Sequence, residues 1–229
     1  MLENIIKELK PKLKELFSDD KSGHDISHLE RVYKTALTIQ EMEGGDRLVI
    51  GLSAYLHDIH RLIGNKTGEF CEPADSLDMV RELLKDVQLT DEQLNKILFA
   101  IGNHELYNWN GNNVDDLETL VLQDADNLDA IGAIGIARTF IYHASKNDPL
   151  YDDSIPFDES NDFHDSKSDP STIHHFYHKL FKLDDNMNTE TGKQMAEQQV
   201  KFMKQFVEQF LNEWNGKYTL NNSDEIKLS

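Results

Sequence analysis

The sequence predicts an all-α fold, on three observations. Apolar residues recur at helical spacing along most of the 229 residues. No stretch alternates apolar and polar residues as a half-buried strand does, and Ser/Thr-x-x-Glu/Gln pairs mark helix starts. There is no internal repeat or low-complexity segment, so the chain is read as one helical domain over residues 1–215 followed by a mobile tail, 216–229.

Composition narrows the partners. The formal net charge of −19 opposes binding to a phosphate backbone or an anionic membrane, so neither nucleic acid nor membrane is expected. Cys71 is the only cysteine, so no intrachain disulfide can form, which fits a reducing compartment. The N-terminus mixes charged with apolar residues and shows no signal-peptide or membrane-span pattern, and a cytoplasmic location is expected. The assembly is left open, a homodimer included.

Leu2, Ile5, Ile6, Leu9, Leu13 and Leu16 lie at helical spacing, with Pro11 expected to kink the segment or divide it. In HDISHLERVYKTALTIQEM, Leu29, Val32, Tyr33, Ala36 and Leu37 form one stripe, and Ser27 with Glu30 reads as a capping box that opens a second helix. That start leaves His24 outside the helix and places His28 and Arg31 in its first turns. Gly44-Gly45 ends it, and Asp46 caps the next.

The stretch from Leu48 to Ile59, LVIGLSAYLHDI, is apolar nearly all round, the pattern of a helix at the centre of a globule, and it is expected to run on to Gly64. It carries His57 and Asp58. Burying an ionised Asp beside a His costs several kcal/mol, on the order of the desolvation penalty, unless a cation or full hydrogen bonding compensates. A metal ion is one such compensation.

Further helices are expected around Leu77 to Val87 and from the Thr90–Gln93 capping box to Gly102, just before His104. YNWNGNN is a loop whose Trp109 is either a lid or an anchor. From Val114 to Phe140 the pattern is a long helix or a helix pair with Asp124, Asp126 and Asp129. Asp126 and Asp129 are three apart and share a face, whereas Asp124 points elsewhere. Gly132 and Gly135 would admit another helix. The stretch from Lys146 to Ser171 is irregular and acidic, and is expected to act as a lid. Thr172 caps a helix in which His175 and Lys179 share a stripe. A last amphipathic helix ends near Trp214.

His28, His57, Asp58 and Asp126 stand out as candidate ligands for one ion, since helix bundles build metal sites from side chains projecting inward from several helices. The order His, His-Asp, then a distant Asp, with the flanks SHLERV, AYLHDI and QDADNLDAIGAIGIARTF, resembles the HD-domain superfamily of metal-dependent phosphohydrolases. HFYHKLFKLDDNMNTETGK also resembles the C-terminal part of its single-domain bacterial members. The resemblance covers Gly23 to Trp214 and implies an HD-type helical bundle. The family often carries Arg directly after the last metal Asp, and here that residue is Asn127.

The resemblance implies one divalent ion, with a mixed nitrogen and oxygen donor set suited to Mn, Fe, Co, Ni or Zn and less to Mg. It implies hydrolysis of a nucleotide or similar small phosphate ester by metal-activated water, at a monoester or at an α-phosphate with release of pyrophosphate. Asp58 is expected at the reacting centre. Asp129 and His104 are candidates for general acid or base or for orienting ligands, and Arg31, Lys179 and His175 for phosphate binding. Two alternatives are a dinuclear-iron oxygenase, which needs further histidines, and a non-catalytic metal or nucleotide sensor.

Overall fold

The computed structural model describes residues 1–18, 23–157 and 169–218, with the side chain of Trp109 left out. Its described residues form α-helices and short 3-10 turns with no strand, as an all-α pattern requires. The α-helices are α1 (Leu2–Leu16), α2 (Ile26–Glu43), α3 (Arg47–Leu56), α4 (Ile59–Thr67), α5 (Leu77–Leu84), α6 (Asp91–Asn103), α7 (Leu117–Asp129), α8 (Gly132–Ser145), α9 (Thr172–His178) and α10 (Glu190–Trp214). None is long and apolar enough to cross a membrane.

The centre is α3, in which every residue from Leu48 to Leu56 is buried, as its all-round apolar surface demands. Helix α2 packs against α3 on one side and α7 on the other. On the α3 side, α1, α5 and α6 close one apolar cluster through Leu9, Leu13, Val80 and Ile101. On the α7 side, α10 and α9 close a second through Phe176, Val200 and Met203. Burying each large apolar side chain stabilises the fold by roughly 1.5–3 kcal/mol, and this core holds the buried ionisable groups described below.

Four local expectations are corrected. Helix α2 is capped by Asp25, which accepts from the His28 backbone N–H at 3.0 Å; Glu30 is drawn instead to Lys10 of α1, at 2.5 Å. Of the two expectations for Pro11, division of the segment is excluded, because α1 is one helix from Leu2 to Leu16. The helix through His57 does not continue to Gly64, because the chain turns at His57-Asp58 and restarts as α4. Ser171 occupies the position before α9, and Thr172 lies inside the helix.

The Thr90–Gln93 capping box and the Asp46 cap form as the sequence indicates. Between α7 and α8 the chain turns at Ala130-Ile131. Gly132 follows with φ +70°, a left-handed conformation that favours glycine, and Gln199 of α10 lies against it. Asp124 does point elsewhere. Fully buried, it accepts from the backbone N–H and side chains of Asn188 and Thr189 at 2.7–2.9 Å and ties α7 to the start of α10. Of the acidic stretch 146–171, the described ends are clamped by Thr172 and Ile173 N–H groups donating to Pro149 and Leu150 carbonyls. Its residues 158–168, and 219–229 of the expected tail, lie outside the described residues.

Candidate metal centre

His28 enters the centre from the first turn of α2, His57 and Asp58 from the turn between α3 and α4, and Asp126 from the last turn of α7. The turn has a chemical consequence. Adjacent residues on a continuous helix point about 100° apart, whereas the break lets both His57 and Asp58 face His28. Nε2 of His28 lies 3.2 Å from Nε2 of His57. Asp126 Oδ1 is 3.4 Å from the first and 3.6 Å from the second. Asp58 offers Oδ2 at 3.3 Å from His28 Nε2 and Oδ1 at 3.6 Å from His57 Nε2.

These spacings fit a shared ion. Ligands about 2.1 Å from a divalent first-row metal are about 3.0–3.4 Å apart at octahedral or tetrahedral angles. The tautomers fit as well. His57 Nδ1 is 2.9 Å from the Ala54 carbonyl and His28 Nδ1 is 2.7 Å from the Asp129 carboxylate. Both partners only accept, so both Nδ1 atoms carry protons and both Nε2 atoms turn lone pairs towards the same point. Two facing lone pairs repel, and a cation or an extra proton must lie between them. Two imidazoles with two carboxylates also balance a divalent charge, so the residues present fit such an ion.

Electrostatics tell the same story from the proton's side. Burial disfavours charge on His28, yet Asp126, Asp129 and Asp58 raise its pKa well above the ordinary value. Burial likewise opposes protonation of His57, but Asp58 and Asp126 outweigh it. Burial would push the two carboxylates up. His57, His24, His28 and Arg61 hold Asp58 well below the usual range, and His28 and His57 do the same for Asp126. The centre is thus built to hold positive charge.

Surrounding groups fix the ligands. Arg61 Nε donates to Asp58 Oδ1 at 2.7 Å, and its Nη2 to Glu105 at 3.1 Å. His24 Nδ1 donates to Asp58 Oδ2 at 2.7 Å. His24 lies outside α2, as expected, yet its ring still reaches the centre. Asp129 sits behind His28 rather than at the reacting point: besides His28 Nδ1 it accepts from Arg31 Nε at 2.5 Å, Arg31 Nη2 at 2.9 Å and Arg138 Nη1 at 2.7 Å. This carboxylate is shared by His28 and two arginines and holds the His28 ring in place. Arg31 is therefore held at Asp129, and both line a separate surface cleft.

His104 is fully buried. Its Nδ1 donates to the Ile101 carbonyl at 2.7 Å, and its Nε2, 4.0 Å from Glu105 Oε1, makes no hydrogen bond. Its ring centroid lies 5.1 Å from that of His57, and it forms a potential metal-holding group with His57 and Asp58. Burial pushes its pKa down to about 4, so it is neutral near pH 7.

Asp126 is the most open of the four, with 17% of its side chain exposed. It faces a cavity of about 460 Å³, also lined by Asn127, Arg138, His175 and Lys179. A neighbouring cavity of about 500 Å³ shares His24, Arg61 and Glu105. The Asn127 amide nitrogen is buried and has no partner. His24, Arg61, Glu105 and Arg138 were absent from the sequence-derived set. Only Arg61, three residues after Asp58 in HDIHR, left a local signal.

The HD domain family model matches residues 25–131, the segment from the α2 cap to the α7–α8 turn. The uncharacterized Bacillus subtilis protein YpgQ is 33% identical over 196 residues, covering 85% of this chain and 86% of its own. The crystal structure of an HD-superfamily hydrolase from Bacillus thuringiensis superposes with a TM-score of 0.72 at 36% identity, covering 95% of this chain and all of that one. YpgQ, crystallised in complex with ADP, superposes with a TM-score of 0.70 at 27% identity, covering 93% and 97% of the two chains.

Proposed function

Because this chain belongs to the HD domain family of metal-dependent hydrolases, we propose that it is a divalent-metal-dependent phosphohydrolase acting on a nucleotide or a similar small phosphate ester, with residues 1–215 as the catalytic unit. One observation carries the reading. Asp58 and Asp126 carboxylate oxygens lie 3.3–3.6 Å from the facing Nε2 atoms of His28 and His57, themselves 3.2 Å apart, and Asp126 opens onto a cavity of the size range that binds small ligands. The ADP bound to YpgQ supports the nucleotide as substrate class.

Held by these residues, a divalent ion would lower the pKa of a bound water and draw charge from a phosphoryl oxygen. The residues supply the rest. His28 and His57 offer Nε2, held in that tautomer by Asp129 and the Ala54 carbonyl. Asp58, fixed by Arg61 and His24, supplies carboxylate oxygen, and Asp126 completes the set. Lys179 has no carboxylate within 4 Å among the described residues, so its ammonium is available to phosphate. His175 and the Asn127 amide are further donors on the same wall. His104, buried and neutral, serves as an added ligand or orienting group rather than as a proton carrier to solvent.

Its unpaired Nε2 beside His57 and Asp58 is the feature that favours the second reading, a dinuclear-iron oxygenase. The test separates the two. Protein loaded with Mn²⁺ is assayed against nucleoside mono-, di- and triphosphates with separate detection of phosphate and pyrophosphate. Iron-loaded protein is assayed for oxygen uptake. Release of either phosphate product without oxygen uptake supports hydrolysis; oxygen uptake alone overturns it.

A further inference from the structure

A second cluster of metal-ligating side chains lies away from the four residues above, between α8 and α9. His143 of α8, Asp169 just before α9 and His175 of α9 each offer a ligand atom within 4.8 Å of the others. We propose that these three residues form a second divalent-cation site, one that takes Zn²⁺ or a similar first-row ion.

The argument starts from His143. Its ring is 2% exposed, and its Nδ1 lies 2.9 Å from the Asp148 carboxylate. That contact places the proton on Nδ1 and leaves Nε2 as a lone pair, and no partner meets this buried Nε2. A buried acceptor without a donor is destabilising, and a cation removes that cost. Histidine ligands characteristically donate their other ring N–H to a carboxylate in this way.

The other two residues hydrogen-bond each other, and an ion bound here would displace the proton between them. Asp169 Oδ2 is 2.7 Å from His175 Nδ1, and Asp169 Oδ1 is 3.0 Å from His178 Nδ1. One oxygen is oriented by His178 while the other faces His175, whose ring centroid is 5.2 Å from that of His143. Two imidazoles and one carboxylate with room for water are a donor set that zinc and its neighbours accept. To reach tetrahedral spacing of about 3.4 Å the Asp169–His175 pair opens from 2.7 Å while the other ligand atoms already lie within 4.8 Å. Side chains of His175 and Asp169, 20% and 12% exposed, have the freedom to do so. His175 also lines the cavity that Asp126 lines, so this ion would sit on a wall of that cavity and add positive charge to it.

The test counts zinc by elemental analysis in the full-length protein, after equilibration with Zn²⁺ against a chelator of micromolar affinity that clears weak surface carboxylate sites. The expected result is one zinc fewer per chain in Asp169→Ala and in His175→Ala than in wild type, with circular dichroism unchanged. Both substitutions are at partly exposed positions, so the test does not depend on the fold tolerating a change at His143. An Asp58→Ala/Asp126→Ala variant should keep the ion that Asp169→Ala loses, so the count stands whether or not the first centre binds metal. An unchanged zinc count in both single variants overturns the site.

Discussion

Nε2 of His28 and Nε2 of His57 face each other at 3.2 Å with their Nδ1 protons committed elsewhere. Everything proposed for the centre follows from that pair. Its ligands come from α2 and from the α3–α4 turn, 29 residues apart in the chain, and Asp129 and Arg31 hold the geometry from behind.

Asp129→Asn keeps the size of the side chain but removes the charge that His28, Arg31 and Arg138 share. The expected loss in metal affinity is about 10–100-fold, the range seen when a carboxylate behind a metal-bound histidine is removed. Arg31→Ala should act the same way but more weakly, since Arg138 remains. Titrating metal into each variant checks this. If Arg31→Ala raised KM for the nucleotide and left metal affinity unchanged, Arg31 would be a phosphate ligand after all.

Lys179→Ala should behave in the opposite manner. A charge-assisted contact to phosphate is worth about 1.5–3 kcal/mol, so catalytic efficiency should fall roughly tenfold to a hundredfold. Metal content should stay constant. Unchanged efficiency on the best nucleotide would make Lys179 a surface base.

His104 sets a pH dependence for the metal-free protein. Burial, with His57 adding repulsion, pushes its pKa down to about 4 from an unfolded value of 6.5. Above pH 6.5 the imidazole is neutral in both states and contributes nothing. As pH falls from 6.5 to about 4 the unfolded chain takes up a proton that the folded one refuses, and stability drops by on the order of 3 kcal/mol. Urea unfolding of wild type and His104→Gln across this window should show a shallower decline in the variant. Equal slopes would mean that His104 is protonated in the fold.

Much of the centre was legible in the chain because apolar flanks made charge conspicuous. His57-Asp58 stands out at the end of a segment with no other charge, and Asp126 among Leu122, Ala125 and Leu128. What escaped was set by distance and by the backbone. The apolar pattern runs straight through the turn at His57-Asp58, so periodicity alone extends the helix. Asp25 and Ser27 are equally good caps, and Glu30 looked like the partner of Ser27 until α1 brought Lys10 to it. Arg31 shares a helix face with His28, but only the fold shows that α7 brings Asp129 to Arg31 and that both line a cleft apart from the cavity at Asp126. Glu105 and Arg138 reach the site from α6's end and α8, and neither carries a local mark. His143 and His175 lie on either side of the irregular acidic stretch that carries Asp169, so no spacing rule joins them.

The most direct test of the account is the ion count of the four-ligand centre measured together with hydrolysis. Wild type, Asp58→Ala and Asp126→Ala are loaded with Mn²⁺, desalted and analysed for bound metal, for helical content by circular dichroism, and for phosphate or pyrophosphate release from a nucleoside triphosphate. The account predicts that each variant binds one ion fewer per chain than wild type and loses hydrolysis while helical content is kept. An ion count equal to wild type in both variants would contradict it.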